Sequence, residues 1–545
     1  MTLGTYPDEV PAEHLVPPEA LEPEYELGRF ENIAVEVGLY TLDPAGGSIV
    51  EDFDNDGLLD IMTSTMDPCK SARYFHNDGN GVFSDYTDRA GLAGQLGGLN
   101  MVQSDYNNDG WMDVLIMRGG WLGTDGRMRM SLLENNGDGS FTDVAHRSGL
   151  GSTAYPSQSA SWGDYDNDGD LDLYSCNESI THGRIGVDRV TFPGQLFRNN
   201  GDGTFTDVAV EAGVTNARYC KGSTWGDYDN DGDLDLYLSN TGDDNRLYRN
   251  DGRGRFRDVA RELGVTGPVY SFPTWFWDYD NDGWLDLFVS GYRGDVADVA
   301  SDYLGLPTAG ARHRLYRNDG AGGFVDVSRE SGISRVHLPM GANFGDLDND
   351  GFPDLYMGTG NPSFETIVPN VMYRNDRGLR FQDVTFSGGF GHLQKGHGVA
   401  FGDLDRDGDQ DIFAQMGGAY PAGAFSNALF ANPGHGNNWL TVRPVGVWSN
   451  RAAIGARIEV EVAEGEERRS VFAVVGSGGS FGASSIEQEI GLGKADRIVS
   501  LKVRWPASGT IQVFTDVPLD VHLEVREDAD TLLDPPRFSF ERLRR

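Results

Sequence analysis

A nine-residue acidic pattern, D-x-[DN]-x-D-G-x-x-D, occurs seven times in this chain of 545 residues. In "GDYDNDGDLDLY" (163–174) it sets Asp164, Asp166 and Asp168 at alternate positions, then Gly169, then Asp172. The seven copies begin at Asp52, Asp105, Asp164, Asp227, Asp278, Asp346 and Asp403, 51 to 68 residues apart. A period of that size marks a repeat array. After each copy comes an alternating apolar run such as "LDLYLSN" (234–240), which predicts a strand. "LYRNDGRGRFRDVA" (247–260) then predicts a hairpin with a Gly-rich turn, and "GSTWGD" (222–227) a strand entering the acidic loop.

Four strands per unit, repeated around a circle, make a β-propeller. Seven FxDV-like strands begin at Phe30, Phe83, Phe141, Phe205, Phe256, Phe324 and Phe381, and seven LxxN strands end with "LFAN" (429–432). The first FxDV-like segment (30–39) has no partner upstream, and the last LxxN strand none downstream. Pairing the two closes the ring and removes an open edge. The expected fold is all-β: a seven-bladed propeller over 28–436 closed by the N-terminal strand, and a small β-sandwich over 437–530. Residues 1–27 form an N-terminal extension and 531–545 a C-terminal tail. The sandwich is read from alternation in "ARIEVEV", "RIVSLKVRW" and "TIQVF".

Carboxylates at positions one, three, five and nine converge when the chain turns tightly, and glycine at position six permits the turn. Hard oxygen ligands at this spacing suit Ca²⁺. The predicted ligands are Asp52, Asp54, Asp56, Asp60; Asp105, Asn107, Asp109, Asp113; Asp164, Asp166, Asp168, Asp172; and Asp227, Asp229, Asp231, Asp235. In the last three loops they are Asp278, Asp280, Asp282, Asp286; Asp346, Asp348, Asp350, Asp354; and Asp403, Asp405, Asp407, Asp411. The competing explanation is a set of ordinary polar hairpin turns. Seven copies of one spacing argue against it, because unpaired carboxylates that close repel. Up to seven structural Ca²⁺ ions are expected.

A formal net charge of −40 argues against a nucleic-acid partner. Three cysteines without a C-x-x-C pair indicate neither zinc nor a disulfide framework. No stretch is long and apolar enough to span a membrane. The acidic, Pro-rich start has no basic and apolar leader pattern, so a cytoplasmic location is expected. The excess of arginine over lysine fits a GC-rich bacterial genome.

The acidic repeats resemble the FG-GAP/VCBS calcium-loop repeats in the propellers of integrin α-subunits and many bacterial proteins. Residues 437 to about 528 look like the ASPIC/UnbV domain, in "NNWLTVRPVG", "SNRAAIGARIEVEV", "GSGGSFGASS", "IGLGKADRIVSLKVRWPASG" and "TDVPLDVHLEV". Together they point to the cartilage-acidic-protein/UnbV family. That resemblance implies calcium binding and either a secreted interaction protein or a UnbV-type factor encoded with enediyne polyketide pathways. It supplies no catalytic residues to carry over.

In a four-stranded meander the calcium loops and Asn-x-Gly hairpins share one face, and the long insertions 118–130, 175–195 and 290–313 share the other. Variable loops on a rigid scaffold are where binding concentrates. The inner-strand positions six residues before each loop are Gly46, Leu99, Gln158, Lys221, Phe272, Met340 and His397. A pocket at the channel mouth would hold Gln158, Phe272 and Met340, with Tyr155, Tyr219 and Tyr270 nearby. His397 as general base and Lys221 as an anion or carbonyl clamp would give cofactor-free acid–base chemistry of the cyclase, isomerase or lyase type. The alternative is a water-lined channel without chemistry. His337, His392 and His397 as a transition-metal set lack tight spacing. "NES" (177–179) matches a glycosylation sequon. "GSGGSFG" predicts a turn between strands.

Two functions follow. One is a calcium-binding propeller that holds a small molecule, glycan or protein on the face opposite the calcium loops. The other is a biosynthetic enzyme or accessory factor of bacterial secondary metabolism, acting at the channel mouth.

Overall fold

The computed structural model describes residues 22–528, except 80, 181–189 and 477–479. Seven four-stranded antiparallel sheets form the blades of a propeller. Blade three is typical: Ser157–Gly163, Asp172–Asn177, Gln195–Asn199 and Phe205–Asp207, running outward from the axis. The ninth residue of every acidic pattern is the first residue of a second strand. Second strands such as Asp235–Asn240 are buried at every position. Each blade packs on a neighbour through both faces, so these strands read as continuous apolar runs. Outer strands of blades one to six are three residues long, with a leading Phe turned inward and the rest exposed in Phe141–Asp143.

Glu31–Asn32 completes blade seven, with Glu31 opposite Ala431 and Asn32 opposite Phe430. The ring is therefore closed by the N-terminal strand, as expected, although that strand is only two residues long. Glycine before the acidic loop has a packing cause. A Cβ on Gly163 would lie 2.8 Å from the Trp225 ring of the next blade, and one on Gly226 would lie 2.6 Å from Phe276.

The asparagine of each LxxN strand ties two blades together. In blade three Asn199 Nδ2 donates to the Leu171 carbonyl of its own loop at 3.2 Å and to Tyr106 of the preceding loop at 2.8 Å. Its backbone N–H donates to Asp172. Asn77, Asn135, Asn250, Asn318, Asn375 and Asn432 repeat the arrangement. The bond from Asn77 to Leu404 joins blade one to blade seven.

Residues 438–526 form two further sheets, one of three strands and one of four. In Arg457–Glu464 burial alternates, with Ile458, Val460 and Val462 inward. This β-sandwich caps the face that carries the acidic loops. Residues 480–485 descend from it into the central channel. Ser480 exchanges backbone hydrogen bonds with Ala342 of blade six, and Val399 of blade seven donates to Phe481. Ala483 bonds Ser48 and Val50 of blade one, and Gln103 of blade two donates to Ser484. Phe481 packs among Ala45, Leu99, Phe272 and Met340. The "GSGGSFG" segment thus does more than turn between strands: its described part plugs the ring.

The cysteine expectation is corrected. Cys176 of blade three and Cys220 of blade four form a buried disulfide with Cα atoms 5.3 Å apart. Their separation of 44 residues follows no local motif; the ring places the second strand of one blade beside the first strand of the next.

Asn199→Ala leaves two buried carbonyls without a donor. The expected loss is about 1–3 kcal/mol of stability in urea unfolding. Exposed Asn200→Ala should stay within about 0.5 kcal/mol of the parent.

Candidate metal centres and the opposite face

Each acidic loop is shaped by two left-handed residues. The fourth position has φ of 56° at Asn55, 58° at Asn108, 56° at Asn167, 59° at Asn230, 58° at Asn281, 54° at Asn349 and 60° at Arg406. Asparagine tolerates this region better than most residues. Glycine at position six has φ of 92° in Gly169. In loop three the Asp164 carboxylate accepts from the backbone N–H groups of Asp168 and Gly169, both at 3.0 Å. Asp172 accepts from Tyr165 at 3.3 Å and Asn199 at 2.8 Å.

These turns bring the carboxylates together. Oxygens of Asp164, Asp166 and Asp172 lie within 4.8 Å of one another, as do those of Asp227, Asp229, Asp235 and of Asp346, Asp348, Asp354. Asp278, Asp280 and Asp282 form a similar group. Within these groups Asp229 Oδ1, Asp280 Oδ1 and Asp348 Oδ1 are buried without a hydrogen-bond partner. A buried carboxylate oxygen without a donor is costly. An all-oxygen cluster with an unmet oxygen fits a hard divalent cation.

Electrostatics agree. Burial is the leading cause that lifts the Asp52, Asp105, Asp164 and Asp278 carboxyls to about 7. In loop three Asp168 and Asp166 push Asp164 the same way. The position-nine carboxyls Asp60, Asp113, Asp172, Asp235, Asp286, Asp354 and Asp411 are raised well above the ordinary range, chiefly by burial.

The loops are also joined to each other. The fourth-position side chain donates to the glycine carbonyl of the next loop: Asn55 to Gly110 at 3.1 Å, Asn108 to Gly169 at 3.1 Å, Asn167 to Gly232 at 3.3 Å, Asn230 to Gly283 at 3.4 Å. Asn281 donates to Gly351 at 2.7 Å and Asn349 to Gly408 at 2.9 Å. Arg406 Nε then reaches Gly57 at 2.8 Å and closes the circle. Sequence reasoning passed over this position, although asparagine stands there in six of seven loops.

The β-sandwich reads the same asparagines from above. Arg443 donates to Asn55 at 2.5 Å and to Asp52 at 3.2 Å. The backbone N–H of Arg451 donates to Asn108 at 2.7 Å and that of Phe472 to Asn281 at 2.9 Å. Arg457 bonds Asn230, and Arg469 the Asp350 carbonyl. Buried Glu487 pairs with Arg406 at 2.7 Å.

On the opposite face the structure does not present the expected ring as an open pocket. Gln158, Lys221, Phe272, Met340 and His397 are all buried, and Phe481 occupies the axis beside Phe272 and Met340. Lys221 Nζ pairs with buried Glu178 at 2.6 Å and lies 3.5 Å from the Trp121 ring centre and 4.5 Å from that of Tyr219. Burial drives the His397 imidazole down to about 3, so it stays neutral. Half-buried Tyr155 packs on Phe192, and half-buried Tyr270 lies under Arg293. His337 stacks on His313, with nitrogens 3.2 Å apart. Asn177 is buried and donates to Pro193, which excludes a glycan at the sequon. Glu178, the partner of Lys221, carries no sequence signal beyond that sequon. A cavity of about 240 Å³ does open on this face, lined by Met66, Leu96, Leu99, Leu122, Met128 and Arg118.

Comparison with known proteins matches these features. The FG-GAP-like repeat model fits residues 52–116, 105–175, 193–238, 227–289 and 297–357, and the ASPIC and UnbV model fits 446–532. Cartilage acidic protein 1 of Xenopus tropicalis is 28% identical over 207 residues, 36% of this chain and 29% of the relative. The Homo sapiens protein of that name is 26% identical over 366 residues, 64% of this chain and 43% of the relative. That of Mus musculus is 34% identical over 121 residues, 21% and 18% of the two chains. The matched region spans less than half the length of each relative. No helix among the described residues is long and apolar enough to cross a membrane.

Carboxyls raised above their ordinary 3.8 make the cation-free fold hold protons more tightly than the unfolded chain does. Their stabilising contribution is full below about pH 4 and is lost as pH rises toward about 7. In chelator, the melting temperature should therefore fall between about pH 5 and 8. Millimolar Ca²⁺ should abolish that fall. Calorimetric scans that show the chelated protein gaining stability across this window contradict this account of the loops.

Proposed function

The chain belongs to the FG-GAP-repeat, ASPIC/UnbV family, and we propose that it is a calcium-stabilised recognition propeller. Its acidic loops hold structural Ca²⁺ ions, and its insertion-rich face takes a small molecule, glycan or protein. The units are residues 28–436 for the ring and 437–530 for the ASPIC/UnbV domain. The observation that carries the calcium half is the orphaned, buried oxygen of Asp229, Asp280 and Asp348 inside clusters of converging carboxylates. When bound, Ca²⁺ supplies positive charge to these oxygens, in loop six alongside Arg374, which pairs with Asp348 and Asp350 at 2.6 Å. The loop residues fix the carboxylates, and the sandwich above them limits access of water.

The recognition half rests on geometry. With the metal-loop face capped by the sandwich, the other face is the one left to a partner. It carries the 240 Å³ apolar cavity and exposed Leu122, Phe364, Ile367, Leu393 and Tyr420. The acid–base reading is not taken up, because Lys221 is bound to Glu178 and His397 is buried and neutral. A secreted location is preferred to the cytoplasmic one. The buried Cys176–Cys220 disulfide suits an oxidising compartment, and the relatives are named for cartilage.

Equilibrium dialysis of chelator-stripped protein should find several Ca²⁺ per chain, and Asp229→Asn and Asp280→Asn should each lose one. Absence of uptake ends the calcium half. A screen of immobilised glycans and connective-tissue proteins should give a ligand whose binding Leu122→Glu abolishes without moving the melting temperature. A screen without hits ends the recognition half and leaves the calcium half standing.

A further inference from the structure

The residue just before the LxxN asparagine meets position three of the acidic loop in blade six, where Arg374 pairs with Asp348 at 2.6 Å, and in blade one, where the partner is Asp54. This preceding residue is Glu134, Arg198, Arg249, Arg317, Arg374 and Ala431 in blades two to seven, and a histidine, His76, in blade one. We propose that blade one carries a mixed nitrogen–oxygen site for a borderline divalent ion of the Zn²⁺ or Co²⁺ class, formed by His76, Asp54 and Asp56. The proposal rests on reading the loops as cation sites but assigns this one a different ion.

Ligand atoms of Asp54, Asp56 and His76 lie within 4.8 Å of one another. His76 Nε2 is 3.0 Å from Asp54 Oδ2. Two ligands on an ion with bonds of about 2.1 Å stand about 3.0 Å apart at the right angles of an octahedron and about 3.4 Å apart at tetrahedral angles, so the pair meets the first and reaches the second by opening a few tenths of an ångström. The other nitrogen, Nδ1, faces Asp78 Oδ1 at 2.8 Å. A carboxylate behind a histidine fixes the ring and its tautomer, which is how metal-ligating imidazoles are supported. With an N–H on Nδ1 held by Asp78, Nε2 turns its lone pair toward Asp54, where a bound cation takes the place that a second ring proton holds in the imidazolium. The ring is held in plane by Tyr86, stacked at 4.5 Å and 7°, with Arg89 over the same tyrosine.

In loop one the first carboxylate also faces a guanidinium: Arg443 reaches Asp52 at 3.2 Å. That positive charge lowers the pull on a hard ion held by charge alone. An imidazole nitrogen adds a ligand that Zn²⁺ prefers and Ca²⁺ does not.

The test is Zn²⁺ titration by calorimetry of full-length protein saturated with Ca²⁺. One Zn²⁺ should bind per chain. His76→Gln should abolish that event, and Asp78→Asn should weaken it by about 10–100-fold. Both variants should keep their melting temperature in Ca²⁺. With ¹¹³Cd²⁺ in place of zinc, one resonance should shift toward the nitrogen-ligand range and vanish in His76→Gln. No Zn²⁺ uptake, or uptake unchanged by His76→Gln, overturns the proposal. Zn²⁺ binding without Ca²⁺ uptake at the other loops would instead sink the calcium reading and leave this one.

Discussion

Three or four carboxylates packed into one tight turn repel, and the rest of the molecule is arranged around holding them together. Part of the restraint is local. The left-handed fourth residue and the glycine at position six point backbone N–H groups at the first aspartate, as in loop three. The remainder is shared between blades. The asparagine that makes the turn also donates to the next loop, so each acidic turn is braced by its neighbour. A cation bound in one loop would therefore act on a circle and not on an isolated hairpin.

The β-sandwich completes this arrangement. The acidic face attracts Arg443, Arg457 and Arg469, and their donors go to the turn asparagines or loop backbone. Arginine suits this role because its planar fork reaches two acceptors at once. The excess of arginine over lysine, expected to reflect a genome, thus has a structural use at this interface. The same module sends Phe481 down the axis, which removes the central channel as a binding site and shifts attention to the cavity between the first two blades.

Much of the ring was legible because its features are periodic. The seven acidic loops, their strands and the orphan strand at Phe30 all repeat or fail to repeat in register, and periodicity is what a sequence displays. The contents of the channel were not legible. Counting back from each loop correctly places Gln158, Lys221 and His397 on the inner strands, but a count cannot tell that residues 480–485 fill the space between them. Nor does it reveal that Glu178, some forty residues before Lys221, neutralises it. The Cys176–Cys220 disulfide was hidden for the same reason: it is a contact between neighbouring blades, made by closure of the ring. His76 was visible as a residue but not as a ligand, since its meaning depends on Asp54 and Asp78 lying on either side of it.

A propeller built from one chain has a seam where its ends meet, and here that seam is stitched by a two-residue strand. Such a joint would ordinarily be where a torus springs open. The plug changes this, because its backbone is hydrogen-bonded to blades six, seven, one and two, and so spans the seam from inside. Opening the hoop at blade seven would require first drawing the sandwich and its aromatic stopper out of the bore, so the clasp and the cap must let go as one.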